Sequence, residues 1–468
     1  MVKNTKTGLL PKPGQLVSTP SISSFLLDHQ KKIRIMGVTL LRLNNTHTIV
    51  GTYILKENQP IMTYSNKKTI KTDLPIRAVG FMFGLVLLIT CTRGNEGLFI
   101  PAAEFEEQES TLMCFNPNYQ DISMTLIGEI AKEDHITLFY NERNHFPQKI
   151  LELLNVYKVN KKNVQLVPFK MKEDNIWIRD YGPTMIQDEG DNQQIMTFSY
   201  PHEASQEYSL FNDQYSARLK LPLKRSSMPS SGGAREINGK GTIVLVESYE
   251  MSINPGMSKR DIENEYRQKL NQTNFIWLKL GIPQDDLFDN GPLVENVYGN
   301  GVNGHLDEFC RFADASTILL AQVDEKDIER DSFYKLIQSR LEENYQILNK
   351  SLDQDGKPFK IVRIPQAPVI FEQGHFNSRN IYYTPVTSYL NFVITNHMVV
   401  MPSYHNEGDP EFVLEKDLEA KEVLLEVFPG KKLVMLNPRK LNYSGGGFHC
   451  ITLHKPKRRT ARSKTGDA

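Results

Sequence analysis

Short runs of β-branched and aliphatic residues constrain this chain most: Thr242–Val246, Thr317–Val323, Lys360–Ile364, Phe392–Thr395 and Lys432–Leu436. Each is bounded by turn residues, the mark of a buried strand. Helical patterns fall between them. Ser258-Lys259-Arg260-Asp261 is a capping box and predicts a helix running to Leu270. Phe333, Leu336, Ile337, Leu341, Tyr345, Leu348 and Leu352 keep the spacing of one helical face, which ends before the turn pair Asp355-Gly356. Strands alternating with amphipathic helices imply an α/β fold. A glycine turn feeding a polar residue recurs at Gly232-Gly233, Gly304-His305, Gly374-His375 and Gly447-Phe448-His449. Repeated strand, turn and helix units around a shared centre would produce that recurrence.

The charge balance narrows the function. Lys+Arg and Asp+Glu both number 55, without the basic excess expected of a general nucleic-acid binder. The four cysteines (Cys91, Cys114, Cys310, Cys450) are scattered and form no CxxC pair, which excludes a disulfide scaffold or a zinc ribbon.

Residues 1–61 carry Ser/Pro/Thr clusters and little periodicity, and are expected to lack regular structure. Ala78–Ile89 has no polar side chain. It is too short to span a bilayer, which takes about 20 apolar residues. It has the length of a signal-peptide core, and Lys67, Lys68, Lys71 and Arg77 precede it. Cys91 then stands where a lipoprotein would be lipidated, with Thr90 at the position usually held by a small residue. Residues 62–91 are therefore expected to be an export segment read from Met62. Export would place the protein in the periplasm or on a membrane through Cys91; a buried core element in the cytoplasm is the alternative. Residues 92–457 form the expected enzyme domain, and 458–468 a solvated basic tail.

Candidate chemistry gathers at four places. Trp177-Ile178-Arg179-Asp180-Tyr181-Gly182-Pro183 puts charges at the end of an element. In Gly304-His305-Leu306-Asp307-Glu308-Phe309, an extended chain would point His305 and Asp307 to one face. Asn391 interrupts an apolar approach to a strand in Ser388–Phe392. Cys450 follows three glycines, with Ile451–Leu453 expected as an anchoring strand. A thiolate is the reactive form of cysteine, and Cys450 with His305 makes a nucleophile and acid/base pair. Asp180 and Asp307 could orient the histidine, as in a protease, or grip a planar guanidinium. His449 and His454 flank Cys450, but adjacent residues on a strand face opposite ways, which argues against a metal site there. Arg179 and Arg311 read as structural ion-pair formers.

WIRDYGP, GHLDEF, SYLNF and GGGFHCIT, in this order, resemble the agmatine deiminase and Porphyromonas-type peptidylarginine deiminase family, from about Phe99 to Pro456. FIPAAEFEEQES is similar to the family's opening. The resemblance implies a pentein, a five-bladed α/β propeller with pseudo-fivefold symmetry and a central active site. It implies that Cys450 attacks a guanidinium carbon to form a thiouronium, that His305 protonates departing ammonia and then activates water, and that Asp180 and Asp307 hold the nitrogens. Asn391 and Trp177 are the further substrate-binding candidates. No cofactor or metal is implied, and the partner is a small guanidinium compound or an arginine-containing peptide. Ser231 stands where agmatine deiminases carry an acid beside the histidine, with Glu236 as a local substitute. Asn391 aligns with an asparagine of the peptidylarginine branch. Agmatine, peptidylarginine and a non-catalytic guanidinium binder all remain open at this point.

Overall fold

The computed structural model describes residues 33–43, 46–55, 98–190, 192–201 and 205–458, the first two segments by backbone alone. The chain divides into two units, Met1–Glu96 and Gly97–Ala468. In the first, Ile33–Leu43 pairs antiparallel with Thr46–Leu55. That corrects the expectation that residues 1–61 lack regular structure. Thr46–Leu55, THTIVGTYIL, is rich in the β-branched residues that pleated strands favour. The export segment, residues 62–91, lies outside the described residues, as does the tail beyond residue 458.

The second unit repeats one arrangement. Arg235–Ile237 runs antiparallel to Thr242–Val246, which runs parallel to Asn274–Leu278. Cys310–Phe312, Thr317–Gln322 and Lys360–Pro365 pair in the same way. So do Val393–Ile394, Met398–Pro402 and Lys432–Leu436, and likewise Thr184–Gln187, Gln193–Ser199 and Leu223–Pro229. The remaining copy joins distant ends of the unit: Leu453–Pro456 lies antiparallel to Gln108–Cys114, which is parallel to Ile136–Asn141. Parallel neighbours need a crossover. Helices supply it: Gln120–Ile130, Ser205–Leu219, Lys259–Leu270, Phe333–Leu348 and Glu411–Val427. Five such units, the last strand completing the sheet of the first, make the pentein arrangement. The middle strands Thr242–Val246 and Met398–Pro402 are buried at every residue, because helices cover one face and neighbouring units the other.

The helix from Lys259 starts at Ser258, whose side chain and Asp261 cap one another as the sequence predicts. The helix from Phe333 stops at Leu348, and Leu352 instead forms a bridge to Pro358. Gly374-His375 falls in an additional four-stranded sheet, made of Pro292–Val294, Val297–Asn300, Arg379–Pro385 and Glu372–Phe376. His375 is exposed there, so this glycine pair is not one of the turns that build the centre. Among the described residues no helix is long and apolar enough to cross a membrane.

Candidate active site

The glycine run before Cys450 is required by crowding. Gly445 has φ of 84°, a left-handed conformation that glycine adopts without cost. A methyl group on Gly446 would lie 2.6 Å from Trp177 Cζ3 and 3.1 Å from Cys450 Sγ. Trp177 and Cys450 therefore flank the backbone of Gly446. Cys450 sits in a turn and the strand begins only at Leu453, which corrects the expected strand Ile451–Leu453. Four neighbours surround the sulfur. Asn391 Nδ2 donates to it at 3.2 Å and the Gly447 amide at 3.4 Å. Asp307 Oδ2 and Glu308 Oε1 each lie 3.8 Å away.

His305 and Asp307 converge by a route the alternation rule did not foresee. His305 is extended, but Leu306–Glu308 is a 3₁₀ turn, so the two are not successive residues on one strand face. Gly233 marks where they meet. A methyl there would lie 2.9 Å from Asp307 Oδ2, 2.9 Å from His305 Nδ1 and 3.0 Å from Asp180 Oδ1. His305 Nδ1 is 3.6 Å from Asp180 Oδ1, which also accepts from the Gly233 amide at 3.0 Å. The backbone of this loop is fixed by Asp285, which accepts from the amides of Val302 and Gly304, both at 2.8 Å, and of His305 at 2.5 Å. All six residues singled out by sequence thus meet in one place: Cys450, Asn391 and Asp307 in contact, Asp180 against His305, Trp177 beside the glycine turn.

Behind Asp307 lies a second layer of charge. His449 Nδ1 is 2.6 Å from Asp307 Oδ2 and its Nε2 is 2.9 Å from Glu104 Oε2. Glu104 also pairs with Arg179 and Arg311. Arg311, wholly buried, reaches Glu236 Oε1 at 2.6 Å and donates to the carbonyls of Leu390 and Phe392 at 3.0 Å. Those carbonyls bracket Asn391, so Arg311 fixes the backbone that carries it.

A family model, Porphyromonas-type peptidyl-arginine deiminase, matches residues 100–456. The chain belongs to this family. It is similar to the agmatine deiminase of Pseudomonas aeruginosa strain LESB58, 27% identical over 321 residues that cover 64% of this chain and 78% of the relative. Among solved structures it is similar in fold to an Enterococcus faecalis agmatine deiminase, with TM-score 0.62 at 21% identity, covering 77% of this chain and 96% of that one. A C. jejuni agmatine deiminase with substrate bound has TM-score 0.58 at 19% identity, covering 77% and 97%. The protein is a deiminase, a hydrolase of guanidinium C–N bonds.

The electrostatics of the deiminase site divide by layer only in part, since burial raises Glu236 too, despite Arg311. Burial pushes the Cys450 thiol well up, and Asp307, Glu308 and Asp180 push it further. Burial likewise raises Glu308, helped by Asp307 and Asp285, and raises Asp180 against the opposing pull of His305. Asp285 is pushed up to about 7, chiefly by burial. Behind them the direction reverses. Burial works against the charge of Asp307 and Glu104, but His449 and Arg311 beside both, with Arg179 beside Glu104, hold both carboxyls below their usual range. His449 bridges the two acids, with one ring nitrogen against each.

Two sequence arguments are corrected here. His449 was set aside on strand alternation, yet its residues form a turn and it bonds Asp307. Glu236, the proposed substitute acid, turns to Arg311 and the Phe312 amide, and not to His305. Ser231 accepts from Tyr249 Oη at 2.8 Å, and the Tyr249 ring packs edge-on against His305 with centroids 4.8 Å apart. An aromatic ring thus supports the histidine from the helix Glu247–Ile253. Glu104, Asp285 and Glu308 were not singled out. Glu308 adjoins Asp307, and Glu104 lies in the opening stretch PAAEFEEQ. Glu104, Glu236 and His449 have the spacing of a cation site, but two guanidinium groups already occupy those carboxylates.

Proposed function

We propose that this deiminase converts a guanidinium to a ureido group and ammonia through a covalent bond to Cys450, acting on an arginine-containing peptide or on agmatine. The observation that carries this is the ring of Asp180, His305 and Asp307 around Gly233, beside the Cys450 sulfur. Asp307 Oδ1 and Glu308 Oε2 are buried without a protein hydrogen-bond partner among the described residues. Unpaired buried carboxylate oxygens are costly, and a planar cation with several N–H donors would satisfy them.

In this reading Asp180 and Asp307 hold the guanidinium with its carbon in front of Sγ. The bound cation offsets the acids that keep the thiol protonated, and the thiolate attacks. His305 protonates the leaving nitrogen, the C–N bond breaks and ammonia departs. His305 then takes a proton from water as it attacks the thiouronium, and the C–S bond breaks to release the ureido product. One imidazole serves as acid and then as base.

The pairing of Ser231 with Tyr249, and Asn391 on Cys450, support the peptidylarginine reading. The relatives named above support agmatine. Purified protein is incubated with agmatine, free arginine and an arginine peptide, and ureido product and ammonia are measured. Turnover of agmatine alone rejects the peptidyl reading, and no turnover of any rejects the enzyme. We also propose export through residues 62–91, tested by N-terminal sequencing of the cell-associated protein; a cytosolic chain still beginning at Met1 rejects it.

A further inference from the structure

Glu308 has no proton to move in the scheme above, yet it touches the reacting sulfur. Its Oε1 is 3.8 Å from Cys450 Sγ. Asn391 Nδ2 bridges the two, donating to Glu308 Oε1 at 2.8 Å and to Sγ at 3.2 Å. Asn391 is itself fixed twice, through its Oδ1, which accepts from the His449 amide at 2.8 Å, and through the grip of Arg311 on its neighbours. Glu308 Oε2 has no hydrogen-bond partner among the described residues, and the residue is 2% exposed. In the layer behind, Glu104 and Glu236 are matched by cations; Asp285 is matched by three backbone amides. Glu308 is matched instead by an amide and a thiol.

We propose that Glu308 is a further catalytic residue, the group that takes the proton from Cys450. When a guanidinium docks, its charge favours the ionised carboxylate of Glu308, which releases the proton it held in the empty site to solvent. The S–H bond then breaks, its electron pair stays on sulfur, and the proton forms an O–H bond at Oε1. After the C–S bond breaks in the second half of the reaction, the electron pair returns to sulfur, which recovers the proton from Glu308. The hydroxyl proton left on the ureido carbon's oxygen is released to solvent, where it makes ammonium of the departed ammonia. No other reactant is needed, and His305 is left free to serve the leaving nitrogen and the water.

The groups facing this pair are Asp307, Asp285 and Asp180, the imidazoles of His305 and His449, the Arg311 guanidinium and the Tyr404 phenol. Burial and the three aspartates make Glu308 hold a proton far more readily than an ordinary glutamate. That fits a group that must hold a thiol's proton during attack. Two interacting acids of this kind titrate as a pair, with one docking event shifting both.

The inference rests on the guanidinium reading, and its test separates the two. Glu308→Gln keeps the shape and can still accept from Asn391, but it cannot take a proton. Wild type and variant are compared by turnover, by thiolate absorbance near 240 nm on adding millimolar guanidinium chloride, and by the pH dependence of Cys450 alkylation with iodoacetamide. Wild type is expected to gain a thiolate signal that Cys450→Ser lacks. Glu308→Gln is expected to lose that signal and about 100-fold in kcat/KM, most of it in kcat, with an alkylation profile displaced in pH. A variant that keeps the thiolate signal, with kcat/KM within threefold of wild type, overturns the proposal. If Glu308→Gln is unstable, Glu308→Asp is used, which retains the carboxyl but withdraws it from sulfur; activity and alkylation equal to wild type would again overturn it. A wild type that turns over no guanidinium substrate counts against the function itself, whatever the alkylation shows.

Discussion

The deiminase holds two layers of buried acid, and they are built on opposite principles. In the back layer, Glu104 and Glu236 meet Arg179, Arg311 and His449, and every carboxylate has a cation against it. In the front layer, Asp180, Asp307, Glu308 and Asp285 crowd round Cys450 with amides, an asparagine and imidazoles as partners. The pKa directions follow in part: Glu104 is held down while Asp180, Glu308 and Asp285 are pushed up, but burial also raises Glu236 despite Arg311, and His449 holds Asp307 down. A paired layer is a structural frame. A layer of acids with unmatched oxygens is a receptor for positive charge. His449 joins the two, one nitrogen on each side.

Exchanging the properties of the layers should have the largest effects. Cys450→Ala removes the nucleophile and should lower kcat by on the order of 10⁴-fold or more, with Tm nearly unchanged; retained turnover would remove Cys450 from the mechanism. Asp307→Asn and Asp180→Asn should each cost roughly 10³-fold in kcat/KM. Asp180→Asn should do so without loss of stability, because it relieves a carboxyl pushed up by burial and Asp307. Asp307→Asn should bring a modest loss, because it weakens the pairing with His449. Arg311→Met should show the reverse. It strands Glu236 and releases the backbone around Asn391, and breaking such a buried pair costs about 3–5 kcal/mol. Denaturant melts and steady-state kinetics on the three variants separate receptor from frame. Equal Tm losses in all three would erase the distinction. His449→Gln, which can donate to only one of the two acids, should fall between them, with activity and stability both reduced.

The contrast between layers also explains what could be seen in the sequence. Thr242–Val246 coincides with its strand residue for residue, because a fully buried strand writes an unbroken apolar run, and the partly buried Lys432–Leu436 coincides with its strand too. The front layer was legible too, since Asp180, His305 and Cys450 stand beside glycines that let a substrate approach closely. Of the back layer, Arg179 and Arg311 were legible as ion-pair formers, but their partners were not. Glu104 and Arg311 are 207 residues apart, and nothing local tells a glutamate that it will meet a buried arginine. His449 was misjudged because a strand was assumed where the three glycines impose a turn. The five-unit closure is equally long-range: Leu453–Pro456 pairs with Gln108–Cys114 only because the ring returns to its start.

The smallest expected effect concerns pH, and it tests the receptor layer without altering its residues. Asp285 titrates at about 7 in the folded protein, against about 3.9 in an unfolded chain. The folded state therefore binds its proton more tightly. That stabilisation is complete below pH 4 or so and is lost as pH rises through 7. Asp180 and Glu308, also raised, act with the same sign. A docked guanidinium favours the ionised forms and should offset the loss. In Cys450→Ser, which binds without covalent chemistry, the Tm should fall by roughly 2 °C between pH 6 and pH 8 without ligand, and by less with saturating agmatine or arginine peptide. The ligand-induced rise in Tm should accordingly grow with pH. A rise that shrinks as pH increases would mean that the bound cation does not lie against these acids, and the front layer would lose its standing as the receptor.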